Sequence, residues 1–388
     1  MKKNIIGLFC ATILYAQEYN ELLKLAIKNN AQLQIAKSQG EQTKLQGQIS
    51  TRLENPNIEF ELSDFSNRGV LRENQIGARV GVSQSLLLPW VKEDKQRLTQ
   101  TKIEEQEQSY RLSKANFIYR FNSLYLLYKE AVKKRDLQQE ALEISQKIVS
   151  IARGRFEGGT VAKSELFQAQ IEEQEILGEL KALELEVLKR KNELLRFANL
   201  DNSIEVDAEY KFFETSSSST YPLLELREKK REIAKARLAI SSNSIENIEL
   251  FSEIEAEPDQ DVFRIGVSIP MPIFNKKLEE RQLAKIEINN QKLALESEQR
   301  ALNLELEQLH REIEREESLK SQYEALEDEQ NRLLELYQRG YSIAKINILK
   351  LSNLKKALLL TKEKLLETTI SIEQNIIKIN YLQGAYSE

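Results

Sequence analysis

The sequence predicts a mainly helical fold with a small β part: two repeats, each a long coiled-coil helical hairpin joined to a β-hairpin that crosses a membrane. Three observations predict it. A strand-to-helix passage is written twice, Arg79-Val80-Gly81-Val82-Ser83 returning as Arg264-Ile265-Gly266-Val267-Ser268. Apolar residues step by threes and fours over very long charged segments. Four short segments alternate apolar and polar residues with period two. Composition agrees. The 388 residues are 30% charged and 7% aromatic, a balance suited to long helices with narrow apolar stripes. The formal net charge of −5, with both signs finely interspersed, offers no basic field for nucleic acid.

In chain order, residues 1–16 read as a signal peptide. Lys2 and Lys3 are basic, Ile5 to Leu14 are apolar, and cleavage is expected after Ala16. That apolar run is well short of the ~20 residues a membrane-spanning helix needs. Cys10, the only cysteine, lies inside it, so the remaining chain has no thiol chemistry. Residues 17–215 form the first repeat, 216–221 a serine-rich linker, and 222–388 the second.

Strands are expected at about 56–65, 75–88, 246–256 and 262–274. Ile58, Phe60 and Leu62 oppose Glu59, Glu61 and Ser63; Ala78, Val80 and Val82 oppose Gly77, Arg79 and Gly81. In the second repeat, Ile248, Leu250 and Ile254 oppose Glu249, Glu253 and Glu255, with Phe251 out of pattern. Phe263, Ile265, Val267 and Ile269 oppose Arg264, Gly266 and Ser268. Segments 66–74 and 257–261 suit hairpin loops.

None of the six prolines falls in 90–221 or from 273 onward, where one would break a helix at about 3 kcal/mol. Long helices are expected at about 91–157 and 275–339, each near 100 Å at ~1.5 Å per residue. Shorter partners at about 18–50 with 162–200, and 222–245 with 343–384, sum to similar lengths. Apolar seams run through Leu180, Leu183, Val187, Leu194 and Phe197; through Leu319, Tyr323, Leu326, Leu333 and Tyr337; and through Leu351, Leu354, Leu358, Leu365, Ile372, Ile376 and Ile379. Each long helix meets a glycine turn, Gly158-Gly159 and Gly340. These turns are matched by pairing Phe156 with Tyr337, and Gly340 is expected to need φ > 0.

Four amphipathic strands cannot close a barrel, and an open strand edge in lipid leaves backbone groups unpaired at several kcal/mol each. Identical chains must therefore pool strands; a trimer gives about twelve and a dimer eight. A soluble coiled-coil or adaptor protein in the periplasm is the bland alternative.

The duplicated passage (Val82-Ser83-Gln84-Ser85-Leu86, Val267-Ser268-Ile269-Pro270-Met271) carries a family resemblance. So do the turns, Arg155-Phe156-x-x-Gly159 with Glu165-Leu166 and Tyr337-x-x-Gly340 with Asn347-Ile348-Leu349. Together they resemble the TolC outer-membrane efflux family over essentially the whole chain after residue 16. Asn55-Pro56-Asn57-Ile58-Glu59 is similar to its heavy-metal cation-efflux (CzcC-like) branch. The resemblance implies a homotrimer with a twelve-strand barrel on a helical tunnel, placed in the outer membrane with its helical part in the periplasm. It implies a passive efflux duct, not an enzyme, coupled through a periplasmic adaptor to an inner-membrane (RND-type) pump. Type I polypeptide secretion is the alternative use of the same fold. By the same resemblance Gly158, Gly159, Thr160, Arg339, Gly340 and Tyr341 are adaptor-contact tips. The tunnel mouth would lie at Glu165, Gln168, Asn347 and Lys350, where the second turn lacks the acidic pair that relatives often carry.

Glu59, Glu61, Glu249, Glu253 and Glu255, against Arg79 and Arg264, are expected to line a barrel lumen and favour cations. Trp90 is a candidate for an interfacial aromatic belt or for plain packing. His310, the only histidine, is read as surface, Glu316 and Glu317 as solvated helix face, and Tyr341 with Arg339 as cross-protomer gate candidates. No catalytic, metal or cofactor motif is evident.

Overall fold

The protein is described by a computed structural model covering residues 18–64, 76–215, 220–343 and 345–387. The expected signal peptide with Cys10, the first hairpin loop and residues 216–219 lie outside it. The elements are α1 (Tyr19–Asn29), α2 (Ala31–Thr51), β1 (Asn57–Asp64), β2 (Ile76–Leu87), α3 (Pro89–Glu157), α4 (Lys163–Phe197), α5 (Pro222–Ser242), β3 (Asn247–Ala256), β4 (Asp261–Ser268), α6 (Leu278–Ser342) and α7 (Ile348–Leu382).

Matching elements keep the spacing that separates Arg79 from Arg264. β2 and β4 begin at Ile76 and Asp261, α3 and α6 end at Glu157 and Ser342, and α4 and α7 run Lys163–Phe197 and Ile348–Leu382. The pairing of Phe156 with Tyr337 does not keep it. That match is corrected by about one helical turn, and Phe156 corresponds instead to Tyr341. On the same count Gly340 matches Arg155, Asn347 matches Ala162, and Lys350 matches Glu165.

Contacts divide the chain into two units, one formed by residues 1–33, 112–221 and 301–388, the other by 34–111 and 222–300. In the first unit, residues 206–213 after α4 are tied to the helices. Tyr125 and Tyr128 donate to the carbonyls of Asp207 and Val206 (2.8 and 2.9 Å), and Asn380 donates to that of Phe213 (2.8 Å). Tyr19 stacks on Tyr210 at 3.8 Å between ring centres, beside buried Phe121 and Phe212. Burial pushes the Tyr19 hydroxyl far above its ordinary pKa, with nearby tyrosines adding to it. Lys129 is buried here between the Tyr210 carbonyl and Glu373, whose two oxygens lie 2.7 and 2.9 Å away.

The expected helix 18–50 breaks at Asn30, whose side chain accepts from the Leu33 amide at 3.0 Å and so starts α2 as α1 ends. The seam on α7 is buried at Leu351, Leu358, Ile372 and Ile379. The expected seam on α6 is not: Leu319, Leu326 and Leu333 are 38–44% exposed, while Leu302, Leu309 and Leu334 are buried.

In the second unit the strands form one antiparallel sheet in the order β1-β2-β3-β4. β4 stops at Ser268 rather than 274. Pro270 and Pro272 have no amide to donate to a ladder, so the apolar exit leaves the sheet. Among the described residues, no helix is long and apolar enough to cross a membrane.

Candidate functional site

The register lines the sheet's charged residues up on one face. Glu59 stands opposite Gly81, then Glu253, then Arg264; Glu61 opposite Arg79, then Glu255. Glu249 lies on the same face, opposite Ser268. All seven residues expected in a lumen thus share one face. The other carries Ile58, Phe60, Leu62, Val80, Val82, Ile254, Phe263, Ile265 and Val267, each 44–78% exposed. An apolar sheet face left open to this extent suits lipid or another protein surface rather than water.

The two arginines, a minority charge on this face, bridge its carboxylates. Arg79 pairs with Glu61 and, at 3.3 Å, with Glu253. Arg264 reaches Glu253 at 2.9 Å and Glu255 at 2.6 Å. Five carboxylates against two guanidiniums still leave this face negative. Phe251 proves to be on it too, with its ring over Gly266. A Cβ built on Gly266 would lie 2.5 Å from the ring tip, so Phe251 fills the place of the missing side chain. The available signal was a glycine in the neighbouring strand beside an aromatic residue out of phase.

The helix turns differ between repeats. After α3, the Thr160 amide donates to the Arg155 carbonyl and the Gly159 amide to that of Phe156, both at 2.9 Å, with Gly159 at φ +69. That is a Schellman cap, whose left-handed position favours glycine. After α6, the Lys345 amide donates to the Gly340 carbonyl at 2.9 Å, the same long-range bond at the matching positions of the second repeat. Gly340 therefore lies inside the last helical turn, not at a left-handed position. It is glycine for another reason, because its missing Cβ would sit 2.6 Å from Ile346 Cγ1. Gly340→Val is expected to destabilise the turn by about 1–3 kcal/mol through overpacking, and Ile346→Ala should recover part of it. Hydrogen exchange of the 334–358 amides measures both.

Of the expected tip residues, Gly158, Gly159, Thr160 and Arg339 are exposed. Tyr341 is not: it is fully buried in a cluster with Val149, Ala152, Leu166, Leu334, Ile348 and Leu351. The Arg155 guanidinium covers its ring at 4.5 Å, and its hydroxyl lies 3.4 Å from Glu165. Burial, with Glu165 adding to it, raises the hydroxyl's pKa. A residue so enclosed cannot gate by reaching a neighbouring chain.

The four tunnel-mouth candidates do not form one cluster by role. Glu165 faces Tyr341; Gln168 is half-buried one turn along α4. Asn347 is the N-cap of α7, accepting from the Lys350 amide at 3.0 Å, and Lys350 is exposed. Its counterpart in the first repeat, Ala162, makes no side-chain cap. Asn347→Ala should cost about 1 kcal/mol, and Ala162→Asp should add a similar amount to α4. Thermal denaturation, followed by exchange of the first-turn amides, reads out both.

Further along these helices, Glu172 accepts from Ser352 at 2.6 Å and pairs with buried Lys355 at 3.1 Å. Burial pulls its pKa upward, but the Ser352 hydrogen bond and the Lys355 charge outweigh that and hold the carboxyl below its ordinary value. His310 is exposed beside Glu214. Trp90 is half-exposed at the start of α3. Among the described residues, no group of three or more His, Cys, Asp or Glu is placed to hold a metal ion.

No family model matches the sequence, and no curated protein sequence does. Solved structures match closely in shape. The outer-membrane channel OprN superposes with a TM-score of 0.77 at 11% identity, over 95% of this chain and 90% of that one. The Campylobacter jejuni CmeC outer membrane channel gives 0.74 at 16%, over 94% and 85%. The Neisseria gonorrhoeae MtrE outer membrane channel in its open state gives 0.75 at 14%, over 94% and 88%. The chain thus has the fold of these outer-membrane channels.

Proposed function

We propose that this protein is the outer-membrane channel of a tripartite efflux system, a passive duct with no chemistry of its own. The observation that carries the reading is the sheet: one face exposed and apolar, the other charged, with β1 and β4 at its two edges. In lipid such edges demand partners, and identical chains supply them. The open leucines Leu319, Leu326 and Leu333, spaced by sevens on α6, favour the same assembly. A homotrimer closes twelve strands, within the range of known barrels. The chain is exported by the segment 1–16 and sits in the outer membrane, with its helices in the periplasm.

The exposed turn residues Gly158, Gly159, Thr160 and Arg339 meet a periplasmic adaptor, which couples the duct to an inner-membrane pump of the RND type. The carboxylate excess on the charged sheet face favours metal cations as cargo. Deleting the gene tests this reading. Tolerance to divalent metals should fall and return with the full-length gene. Unchanged metal tolerance with lost drug or bile-salt tolerance would remove the cation assignment. Loss of a secreted polypeptide alone would favour type I secretion.

A further inference from the structure

The end of the helical unit where the chain turns between helices is basic. The last two turns of α3 and α6, the first two of α4 and α7 and the segments between them (150–170 and 335–355) hold seven lysines and arginines against three glutamates. The whole chain is at −5, so this excess of four cations stands against nine net negative charges elsewhere. Lys355 is buried on Glu172 at 3.1 Å, and Arg155 covers Tyr341. The other five, Arg153, Lys163, Arg339, Lys345 and Lys350, are exposed.

Few carboxylates answer them. Glu165 is half-buried against Tyr341, and Glu335 reaches Arg339 only at 3.8 Å. The Lys163 ammonium lies over the Phe167 ring at 5.0 Å. Among the described residues no carboxylate pairs with Lys163, Lys345 or Lys350. Lysines farther from the turns do find partners, as Lys133 does in Glu209 at 2.6 Å and Lys378 in Glu305 at 3.2 Å.

Helix stability does not account for the three lysines. Arg155 and Arg339 stand in the last turns of α3 and α6, where free carbonyls favour a cation. Lys163 opens α4, and Lys350 lies in the first turn of α7, which has no acidic residue. Helix starts are the positive ends of the dipole, so both lysines work against the helices that hold them. Lys345, just before α7, adds to the same field. Apolar side chains are interleaved with them: Phe167 is 49% exposed, Ile343 61% and Leu349 54%. Open apolar anchors among unanswered cations suit a protein surface better than water or a free ion.

We propose that the partner docking on this end presents an acidic face, with carboxylates that meet Lys163, Lys345 and Lys350 beside the apolar Phe167, Ile343 and Leu349. This rests on the reading that these turns meet a periplasmic adaptor, and it names the chemistry of that adaptor's docking face. Opposite charge speeds the encounter and fixes orientation, while a partner with a basic face is repelled.

Carbodiimide coupling in intact cells tests this with the full-length chain, because the reagent joins an amine to a carboxylate only where the two touch. Mass spectrometry should find Lys163, Lys345 or Lys350 joined to aspartate or glutamate of one periplasmic protein. The triple variant Lys163→Arg, Lys345→Arg, Lys350→Arg keeps the charge, so that protein should still co-purify while the links disappear. Lys163→Glu, Lys345→Glu, Lys350→Glu should lower co-purification about tenfold through like-charge repulsion. Its melting temperature should not fall, since carboxylates suit the starts of α4 and α7. Parental co-purification by the glutamate variant would overturn the acidic face while leaving adaptor docking intact. So would a partner joined only by an amine-to-amine reagent. Links to the stem-peptide carboxylates of peptidoglycan alone would overturn the protein partner. An outer-membrane protein that neither reagent joins to anything would remove adaptor docking and the acidic face together.

Discussion

Replacing Glu373 with leucine is expected to cost about 3–5 kcal/mol of stability in the unit that holds it, because it strands a buried cation. Lys129 has side-chain exposure of 9% and Glu373 of 3%, and the pair closes at 2.7 Å. The lysine also donates to the Tyr210 carbonyl at 2.8 Å, so the ammonium is satisfied only while both acceptors remain. The double change Lys129→Met with Glu373→Leu removes both charges and keeps apolar volume, so it should recover most of the loss. Native-state hydrogen exchange of amides in 120–135 and 368–380 distinguishes the two variants. Equal protection in the single mutant and the parent would mean that the pair contributes nothing.

Tyr341→Ala should open the helix-turn cluster at a similar cost, about 3–5 kcal/mol, by emptying a fully buried aromatic site. The loss includes the stacking surface under Arg155. Tyr341→Phe keeps the ring and loses only a long contact to Glu165 at 3.4 Å, so it should cost no more than about 1 kcal/mol. Trypsin cleavage after Arg339 and Lys345 provides the readout, fast in the alanine variant and near parental in the phenylalanine one. Fast cleavage in both would shift the weight of the site from the ring to the hydroxyl.

Elements governed by local periodicity were legible from residue order. The strands announced both faces through period two, and the proline-free stretches marked α3, α4, α6 and α7. The repeat was legible too, but its register at the turns was not. Tyr337-x-x-Gly340 resembles Phe156-x-x-Gly159, and matching glycine to glycine displaced the second turn by about one turn of helix. The two glycines answer different demands: Gly159 takes a positive φ, while Gly340 makes room for Ile346. The true counterpart of Gly159 in the second repeat is Ala344, outside the described residues.

Long-range partners left no trace in residue order. Lys129 and Glu373 belong to different repeats, and each alone resembles an ordinary charge on a helix face. Tyr341 read as a tip residue for its place beside a glycine, although the chain turns it inward. The α6 leucines at 319, 326 and 333 are spaced by sevens yet stay exposed, because periodicity identifies an apolar stripe without saying what covers it. Asn347, a tunnel-mouth candidate by resemblance, also begins a helix with its side chain, a local role that the resemblance did not carry.

If copies of this chain pool their strands into a pore across a lipid bilayer, purified full-length protein added to a planar bilayer should give discrete, uniform conductance steps. The steps should prefer cations and come from an assembly of three chains. Protein that stays in solution as a monomer and leaves the bilayer sealed would contradict it.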